Sequence, residues 1–186
     1  MSHARVVCSA LGVPLLLASC GSPASHSPDA AAGPCWPLDA MPGGQAELGT
    51  GDIDFEPMPA MLPIIRNASQ SDPFLQIHAR IHGLPPGNPD DILAPGNPRT
   101  KVGATIDELG LTLGVECPAS LGYVASPEAG AFDLVHSLRI GLGTIPPAQV
   151  AGKQAHITLE VVGSNGLYAQ DMKLVTVTLM TTSAAR

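Results

Sequence analysis

Two histidines and an arginine on one predicted strand are the first residues here whose types could do chemistry. His78, Arg80 and His82 alternate with apolar residues and would share one strand face. Histidine is a common zinc ligand, but a rise of about 3.3 Å per residue separates His78 from His82 by roughly 13 Å. Two Zn–N bonds of about 2 Å cannot bridge that gap. We expect a solvated strand face and no metal, unless the sheet brings His136 or His156 across.

Carboxylates form the second candidate site. Asp52, Asp54 and Glu56 alternate with apolar residues after the Gly49-Thr50-Gly51 turn, which predicts one acidic face on a first strand, and Asp90-Asp91 lies in a loop. Calcium takes about six to eight oxygen ligands, often from the loops of a sandwich, but the EF-hand spacing is absent. Two carboxylates could also form a glycosidase pair. Aromatic residues, which stack sugars, are only 3% of the chain, so a polar outer face is the preferred interpretation.

The sequence lacks the motifs of common enzyme classes. It has no Gly-x-Ser-x-Gly nucleophile turn, no Walker A loop and no Gly-x-Gly-x-x-Gly ahead of a helix. Gly141-Leu142-Gly143 runs into Pro146-Pro147, which argues against a phosphate cradle there. We expect no catalytic residue, no cofactor and no enzymatic activity.

Composition and charge exclude several classes of protein. The 186 residues suggest one domain, and 20 glycines with 19 prolines are typical of loop-rich β proteins. Nine basic residues stand against sixteen acidic ones, a net charge of −7, which argues against a nucleic-acid partner. The composition therefore excludes a coiled coil, a basic binding protein and a multi-pass membrane protein.

The amino-terminal residues predict export and lipidation. Arg5 precedes an apolar run, Val6–Ala18, that is too short to cross a ~30 Å hydrocarbon core and fits the h-region of a signal peptide. Leu17-Ala18-Ser19-Cys20 resembles a bacterial lipobox, which implies a diacylglycerol thioether on Cys20 and cleavage before it. The alternative is an ordinary secretory signal cleaved within the same motif. Gly21, where an Asp would favour inner-membrane retention, favours the outer membrane.

Cleavage would change the charge as well as the chain length. It removes Arg5 and no acidic residue, which leaves eight basic against sixteen acidic residues. Because such a chain offers no basic patch to anionic lipid, we expect membrane association through the lipid on Cys20.

The remaining cysteines predict a disulfide. Cys8 would leave with the signal peptide and Cys20 would carry the lipid, so Cys35 and Cys117 remain as a pair in an oxidising compartment. Their bond would close a loop of about eighty residues and contribute roughly 2–4 kcal/mol. The alternative is two free thiols. We expect Trp36, next to Cys35, to pack over this disulfide.

Alternating apolar and polar residues predict strands along the rest of the chain. The Leu109–Cys117 run places Cys117 inward, Gly83–Pro98 must be a loop because it holds five prolines, and Ser164-Asn165-Gly166 is a hairpin turn. Asp107-Glu108-Leu109 could open one helical turn at most. The strand candidates are residues 53–56, 61–65, 75–82, 109–117, 132–142, 157–162 and 174–180.

These elements predict an all-β chain with one immunoglobulin-like antiparallel β-sandwich of about seven to eight strands after a disordered lipidated leader. Residues 1–19 would be the signal peptide, residues 20–44 a Pro/Gly/Ser/Ala-rich tether, and residues 45–182 the sandwich domain.

The pattern resembles the uncharacterised predicted lipoproteins of myxobacteria. The shared features are the lipobox, a Pro-rich leader with one Cys, the Gly49-Thr50-Gly51 turn, an aromatic residue at Phe55 and the Val161–Gly166 hairpin segment. Residues 67–72 lack the glycine-rich turn expected there. The resemblance implies the sandwich fold but no active site.

We therefore expect a non-enzymatic, lipid-anchored binding or interaction module of the bacterial cell envelope, at the outer membrane. Its partner would be an unknown envelope protein or ligand, met by the loops at 66–73 and 83–101. The alternatives are a structural or accessory subunit of an envelope assembly, or a calcium-dependent adhesion module.

Overall fold

The computed structural model describes residues 39–66 and 72–179, all within the compact unit Gly33–Arg186. Most of these residues are in strands, which confirms the all-β prediction. A 3₁₀ turn at Asp107–Leu109 and a short helix, α1, at Pro147–Val150 are the helical elements of the described chain. The strands are β1 (Met41–Pro42), β2 (Gln45–Thr50), β3 (Glu56–Pro57), β4 (Met61–Ile65), β5 (Phe74–His82), β6 (Arg99–Ile106), β7 (Leu111–Gly114), β8 (Ala119–Ser120), β9 (Tyr123–Ala125), β10 (Ala131–Leu134), β11 (Leu138–Gly141), β12 (Gln154–Val162) and β13 (Leu167–Leu179).

The strands form one curled sheet of mixed direction. Its main path runs β3-β2-β5-β4-β13-β12-β6-β7. Most neighbours are antiparallel, but β13 pairs in parallel with both β1 and β4. The sheet is therefore not purely antiparallel. β1 and β4 are joined to β13 by long stretches of chain, whereas a tight hairpin would have made each pair antiparallel.

Strand β5 lies at the centre of the curl. Its first half pairs with β4 on one edge and β11 on the other. Its second half pairs with β2 and β10. One nine-residue strand thus serves two sets of neighbours, which lets the sheet fold back on itself.

The core is aliphatic and follows the alternation of the long strands. In β6 every second residue is buried, and β12 repeats the pattern with Ile157, Leu159 and Val161 fully buried. Ile77 and Ile81 of β5 belong to the same core cluster. Each such side chain contributes about 1.5–3 kcal/mol relative to an exposed one.

The hairpin prediction is confirmed. Gly163 and Gly166 close the turn between β12 and β13, with Gly163 N donating to Leu167 O at 2.9 Å. The predicted single turn at Asp107–Leu109 is also present, as a 3₁₀ turn.

The prediction of a first strand over residues 53–56 is wrong. Residues 51–55 form a loop, and Ile53 is 71% exposed. Gly51 turns the chain with a φ of 103°, and a Cβ there would come within 2.0 Å of the Asp54 carbonyl oxygen. The first main strand is β2, which ends in the predicted turn residues.

The inward placement of Cys117 is also wrong. Strand β7 ends at Gly114, whose φ of 118° breaks the alternation that would have carried the strand onward. Cys117 therefore lies exposed in a bend between β7 and β8.

The strand predicted over residues 132–142 is two strands, β10 and β11, that follow each other along one edge of β5. Between them, Ser137 N donates to Asp52 O at 3.3 Å instead of joining the ladder. No strand was predicted over the residues of β6, although buried and partly exposed residues alternate along it.

Several predictions lie outside the described residues. These are the signal peptide, Cys8, Cys20, Cys35, Trp36 and most of the tether. Within residues 39–66 and 72–179, no helix has the length and apolar character needed to cross a membrane.

Candidate functional site

The proline-rich loop between β5 and β6 is tied down at both of its ends. Tyr123 N donates to Pro86 O at 2.8 Å, and Leu121 N donates to Pro98 O at 3.0 Å. Below it, the Tyr123 hydroxyl pairs with Thr100 Oγ1 at 2.8 Å in the interior, and burial raises the pKa of Tyr123. The loop therefore starts and ends on fixed points of the sheet.

Asn97 holds the middle of this loop from inside. Its side-chain oxygen accepts a hydrogen bond from Asn88 N at 2.6 Å, and its amide donates to Asp91 O at 2.8 Å. The residue is 4% exposed. Because a buried amide left unpaired is costly, these bonds fix the path of residues 88–97.

Gly87 lets the loop close on Asn97. Its φ is 73°, and a Cβ at this position would come within 2.5 Å of Asn97 Oδ1. A side chain here would be strained by the backbone and would displace the amide that organises the loop.

The loop presents two large apolar side chains to solvent. Ile92 is 69% exposed and Leu93 is 84% exposed. Leu93 N donates to Asp91 Oδ1 at 2.9 Å, so the backbone beneath them is held. We call Ile92 and Leu93 the apolar tip. Two adjacent aliphatic side chains exposed on a hydrogen-bonded loop are a feature of contact surfaces.

A cleft of about 400 Å³ separates the apolar tip from the β12–β13 turn. We call it the end cleft. Three strands line it, through Arg99 of β6, Val162 of β12 and Ser120 of β8. The remaining lining comes from Ile92, Leu93, Ala94, Pro95, Asn97, Gly163, Ser164 and Gly166.

A second polar feature lies on β5, around Arg80. Its guanidinium donates to both oxygens of Asp133, at 2.6 and 3.2 Å, and to Glu128 at 2.6 Å. It also lies over the Phe55 ring, 4.2 Å from the centroid. Side-chain exposure is 14% for Arg80 and 11% for Asp133, so this is a nearly buried ion pair.

The charges of this pair are mutually stabilised. The hydrogen bond to Asp133 raises the pKa of Arg80, against the effect of burial. Burial alone would raise the pKa of Asp133, but hydrogen bonds from Arg80 and Ser126 outweigh it and hold that pKa below its usual value. Asp133 is therefore ionised at neutral pH, as a structural group beneath the surface.

The prediction of a solvated face at His78 and His82 is wrong for His78. His78 is fully buried, because the 51–55 loop covers it: His78 Nε2 lies 3.2 Å from Ile53 O, and the ring meets Phe55 edge-on. Among the described residues, His78 Nδ1 has no hydrogen-bond partner. His82 lies half-buried at the end of β5.

The residues of the two candidate cation sites weighed from the sequence do not come together in the described chain. Asp52 and Asp54 lie in the loop and Glu56 begins β3, so the three do not share a strand face. His156 lies 3.4 Å from Asp107, and His136 is exposed. In the part of the chain that the structure describes, no three His, Cys, Asp or Glu side chains could hold a metal ion together.

Cys117 lies in the described chain, and Cys35 lies outside it. The pairing with Cys35 stays a prediction.

The predicted contact loops are found only in part. Residues 67–71 lie outside the described chain, and residues 99–101 belong to β6. The apolar tip and Asn97 were not singled out from the sequence. The sequence does contain a signal for the tip. Ile92 and Leu93 are adjacent apolar residues in a proline-rich polar loop, where no alternating pattern assigns them to the core.

No protein-family model, curated protein or solved structure matches this chain.

Proposed function

We propose that this protein is a non-enzymatic binding module of the bacterial cell envelope, held to the outer membrane by a lipid on Cys20, and that it contacts its partner through the apolar tip. The observation that carries this proposal is the exposure of Ile92 and Leu93 on a loop fixed by Asn97. A pre-organised loop loses little conformational entropy on binding, so less of the affinity gained from burying its apolar area is lost to ordering.

The tip's surroundings favour a protein partner over a lipid surface. Asp90 and Asp91 directly precede Ile92 and are exposed. Their carboxylates would be repelled by anionic headgroups, and the chain as a whole is acidic. A protein with an apolar pocket and a basic rim would complement both the tip and these charges.

The two-layer, immunoglobulin-like arrangement belongs to the same proposal. Strand β2 contacts β13 and β12 without entering their ladders, as a second layer would. Leu48 N of β2 donates to Asp171 Oδ2 of β13 at 2.8 Å across this contact. Such a sandwich places loops at its ends, where the apolar tip would meet a partner.

The test is site-specific photo-crosslinking in living cells of the natural host. A photoreactive residue replaces Leu93 in one variant and Ile53 in a matched control, since Ile53 is similarly exposed on another loop. We expect one discrete protein adduct from position 93 that position 53 does not give. Equal labelling at both positions, or adducts to lipid alone, would exclude the tip as a protein contact.

The anchor is tested separately with Cys20→Ser. We expect the variant to leave the membrane fraction, because the acidic chain offers no basic patch to anionic lipid. A variant that still sediments with membranes contradicts the lipid anchor without bearing on the tip.

A further inference from the structure

The end cleft places one positive charge beside an apolar surface. Arg99 is the only charged residue among the described residues that line it. Arg99 lies opposite Ser120 of β8 and opposite Val162 of β12, so three strands contribute to one cross-strand row. Directly opposed residues point to the same side of a sheet. The row therefore presents a guanidinium, a hydroxyl and an aliphatic group next to one another.

The walls on either side of this row are uncharged. The loop between β5 and β6 contributes the apolar tip, Ile92 and Leu93, together with Ala94 and Pro95. The β12–β13 turn contributes Ser164, a second hydroxyl. A ligand that combined an aliphatic group with a single negative charge would satisfy both the walls and the row.

The same lining argues against other classes of ligand. Among its described residues there is no carboxylate for a divalent cation and no aromatic ring on which a base could stack. Inorganic phosphate would gain the guanidinium but would leave the aliphatic walls uncovered. The volume of about 400 Å³ is near the lower end of the range of about 300–1,000 Å³ for small-molecule sites. It suits one or two peptide residues better than a long acyl chain.

We propose that the end cleft receives the carboxyl-terminal residue of the partner protein, with the free carboxylate on Arg99 and an aliphatic side chain against Leu93 and Val162. A terminal residue carries both groups on one Cα, whereas an acidic side chain has no separate aliphatic group. Capture of a free carboxyl terminus is a recurring mode of peptide recognition. This inference rests on the proposed function, since it names the chemistry of the partner that the apolar tip meets.

Arg99 already has a further interaction within the protein. A guanidinium has five N–H donors, so it can serve two acceptor groups at once. Arg80 does so in the same chain, because it donates to Asp133 and to Glu128. An arriving carboxylate would therefore share the Arg99 guanidinium with its present partner.

The charges outside the cleft make it selective. Asp90 and Asp91 precede the tip and are exposed, and the whole chain has a net charge of −7. Such a field disfavours anions in general, so affinity for an anion must come from Arg99 at short range. A partner with basic residues ahead of an aliphatic carboxyl terminus would complement both the two aspartates and Arg99.

The test compares three small probes by the amide resonances of the full chain in uncharged detergent micelles. N-acetyl-leucine has an aliphatic side chain and a free carboxylate, N-acetyl-leucinamide lacks the charge, and 4-methylpentanoate lacks the peptide group. We expect N-acetyl-leucine to shift the amides of residues 92–97 and 163–166 saturably. It should bind about tenfold more tightly than its amide, as one charge-assisted hydrogen bond provides. 4-Methylpentanoate should bind more weakly than N-acetyl-leucine, because it has no peptide group to bond Ser164.

Two variants and a matched control assign the effect to residues. Arg99→Gln should bind N-acetyl-leucine and its amide alike. Lys101→Gln removes a cation from the same face of β6 but outside the cleft lining, and it should keep the tenfold difference. Leu93→Ala, at a position 84% exposed, should weaken both leucine probes by the same factor, because it removes only an apolar wall.

Three results would overturn the inference. The first is equal binding, or no binding, of N-acetyl-leucine and its amide to the wild type. The second is a preference for the acid that survives in Arg99→Gln. The third is 4-methylpentanoate binding as tightly as N-acetyl-leucine, which would assign the cleft to a free aliphatic acid. A protein adduct from position 93 alongside any of these results would keep the tip as a protein contact and remove only the carboxyl-terminal ligand.

Discussion

At the scale of single residues, Arg80 is a nearly buried charge that a carboxylate and an aromatic ring hold in place. It lies on a strand whose neighbours on both edges present carboxylates, with Glu47 opposite it on β2 and Asp133 opposite it on β10. The strand pattern alone places Arg80 on a polar face. What buries it is the 51–55 loop, whose Phe55 packs beneath the guanidinium.

We expect Arg80→Met to destabilise the protein by about 3–5 kcal/mol, because it leaves the Asp133 carboxylate buried without a counter-ion. Urea unfolding measures the loss. Lys153→Met is the matched control, since it removes an exposed ion pair with Glu108 and should cost no more than about 1 kcal/mol. Equal losses in the two variants would show that the Arg80 pair is no stronger than a surface contact.

Asp133 gives a prediction about acid. Its pKa is lowered in the folded state, so its stabilising effect is present above the unfolded pKa of about 3.9 and is lost as the pH falls through the folded pKa. We expect wild type to be more stable than Asp133→Asn at pH 7, and this difference to shrink as the pH falls below about 4. Unfolding free energies measured from pH 7 to pH 3 test this. A difference that stays constant would contradict the assigned ionic role.

At the scale of elements, the loop between β5 and β6 has no regular secondary structure but is held by several hydrogen bonds. Its hydrogen bonds come from asparagine and aspartate side chains to nearby backbone groups, the usual way a polar loop organises itself. The tip is therefore held without contributing to the core.

We expect Asn97→Ala to loosen this loop. Asn88 N–H and Asp91 C=O each lose a partner, at about 1–3 kcal/mol for each group that stays buried. Hydrogen exchange should accelerate at residues 88–97 and not in β12. Asn165→Ala serves as the control, because Asn165 is exposed in the β12–β13 turn and its side chain accepts a local hydrogen bond from Leu167 N. Unchanged exchange at residues 88–97 would show that other contacts fix the loop.

The long strands could be predicted from the sequence because their residues alternate without interruption. This holds for β5, β12 and the hairpin that joins β12 to β13. Gly114, at positive φ, ended the β7 strand where alternation alone would have extended it, and a loop follows Gly51 where alternation predicted a strand. For the apolar tip, the sequence predicted the loop but not the exposed residues. Their exposure depends on the path that the Asn97 hydrogen bonds give to the loop. Parallel pairing with β13 depends on contacts far apart in sequence, which no local pattern contains.

At the scale of the whole molecule, β13 joins segments from distant parts of the chain. It pairs with β12 over residues 168–176 and at its two ends with β1 and β4. The start of the described chain is thereby held in the centre of the sheet rather than at its margin.

We expect Cys35→Ser to lower the melting temperature, corresponding to a loss of roughly 2–4 kcal/mol, because the predicted cross-link restricts the unfolded chain. Wild type under reducing conditions should melt at the same temperature as the variant. Membrane association should persist, since the lipid on Cys20 is untouched. A variant that melts like the oxidised wild type would contradict the Cys35–Cys117 pairing.

The position of β13 near the end of the chain also determines when β1 and β4 can pair during synthesis. β1 and β4 emerge from the ribosome more than a hundred residues before their shared partner. Until residues 167–179 have been synthesised, neither can complete its pairing, and a sheet with such distant partners forms slowly. The sheet thus cannot be completed until nearly the whole chain has been synthesised. A polypeptide without its completed sheet can still be threaded through a narrow channel.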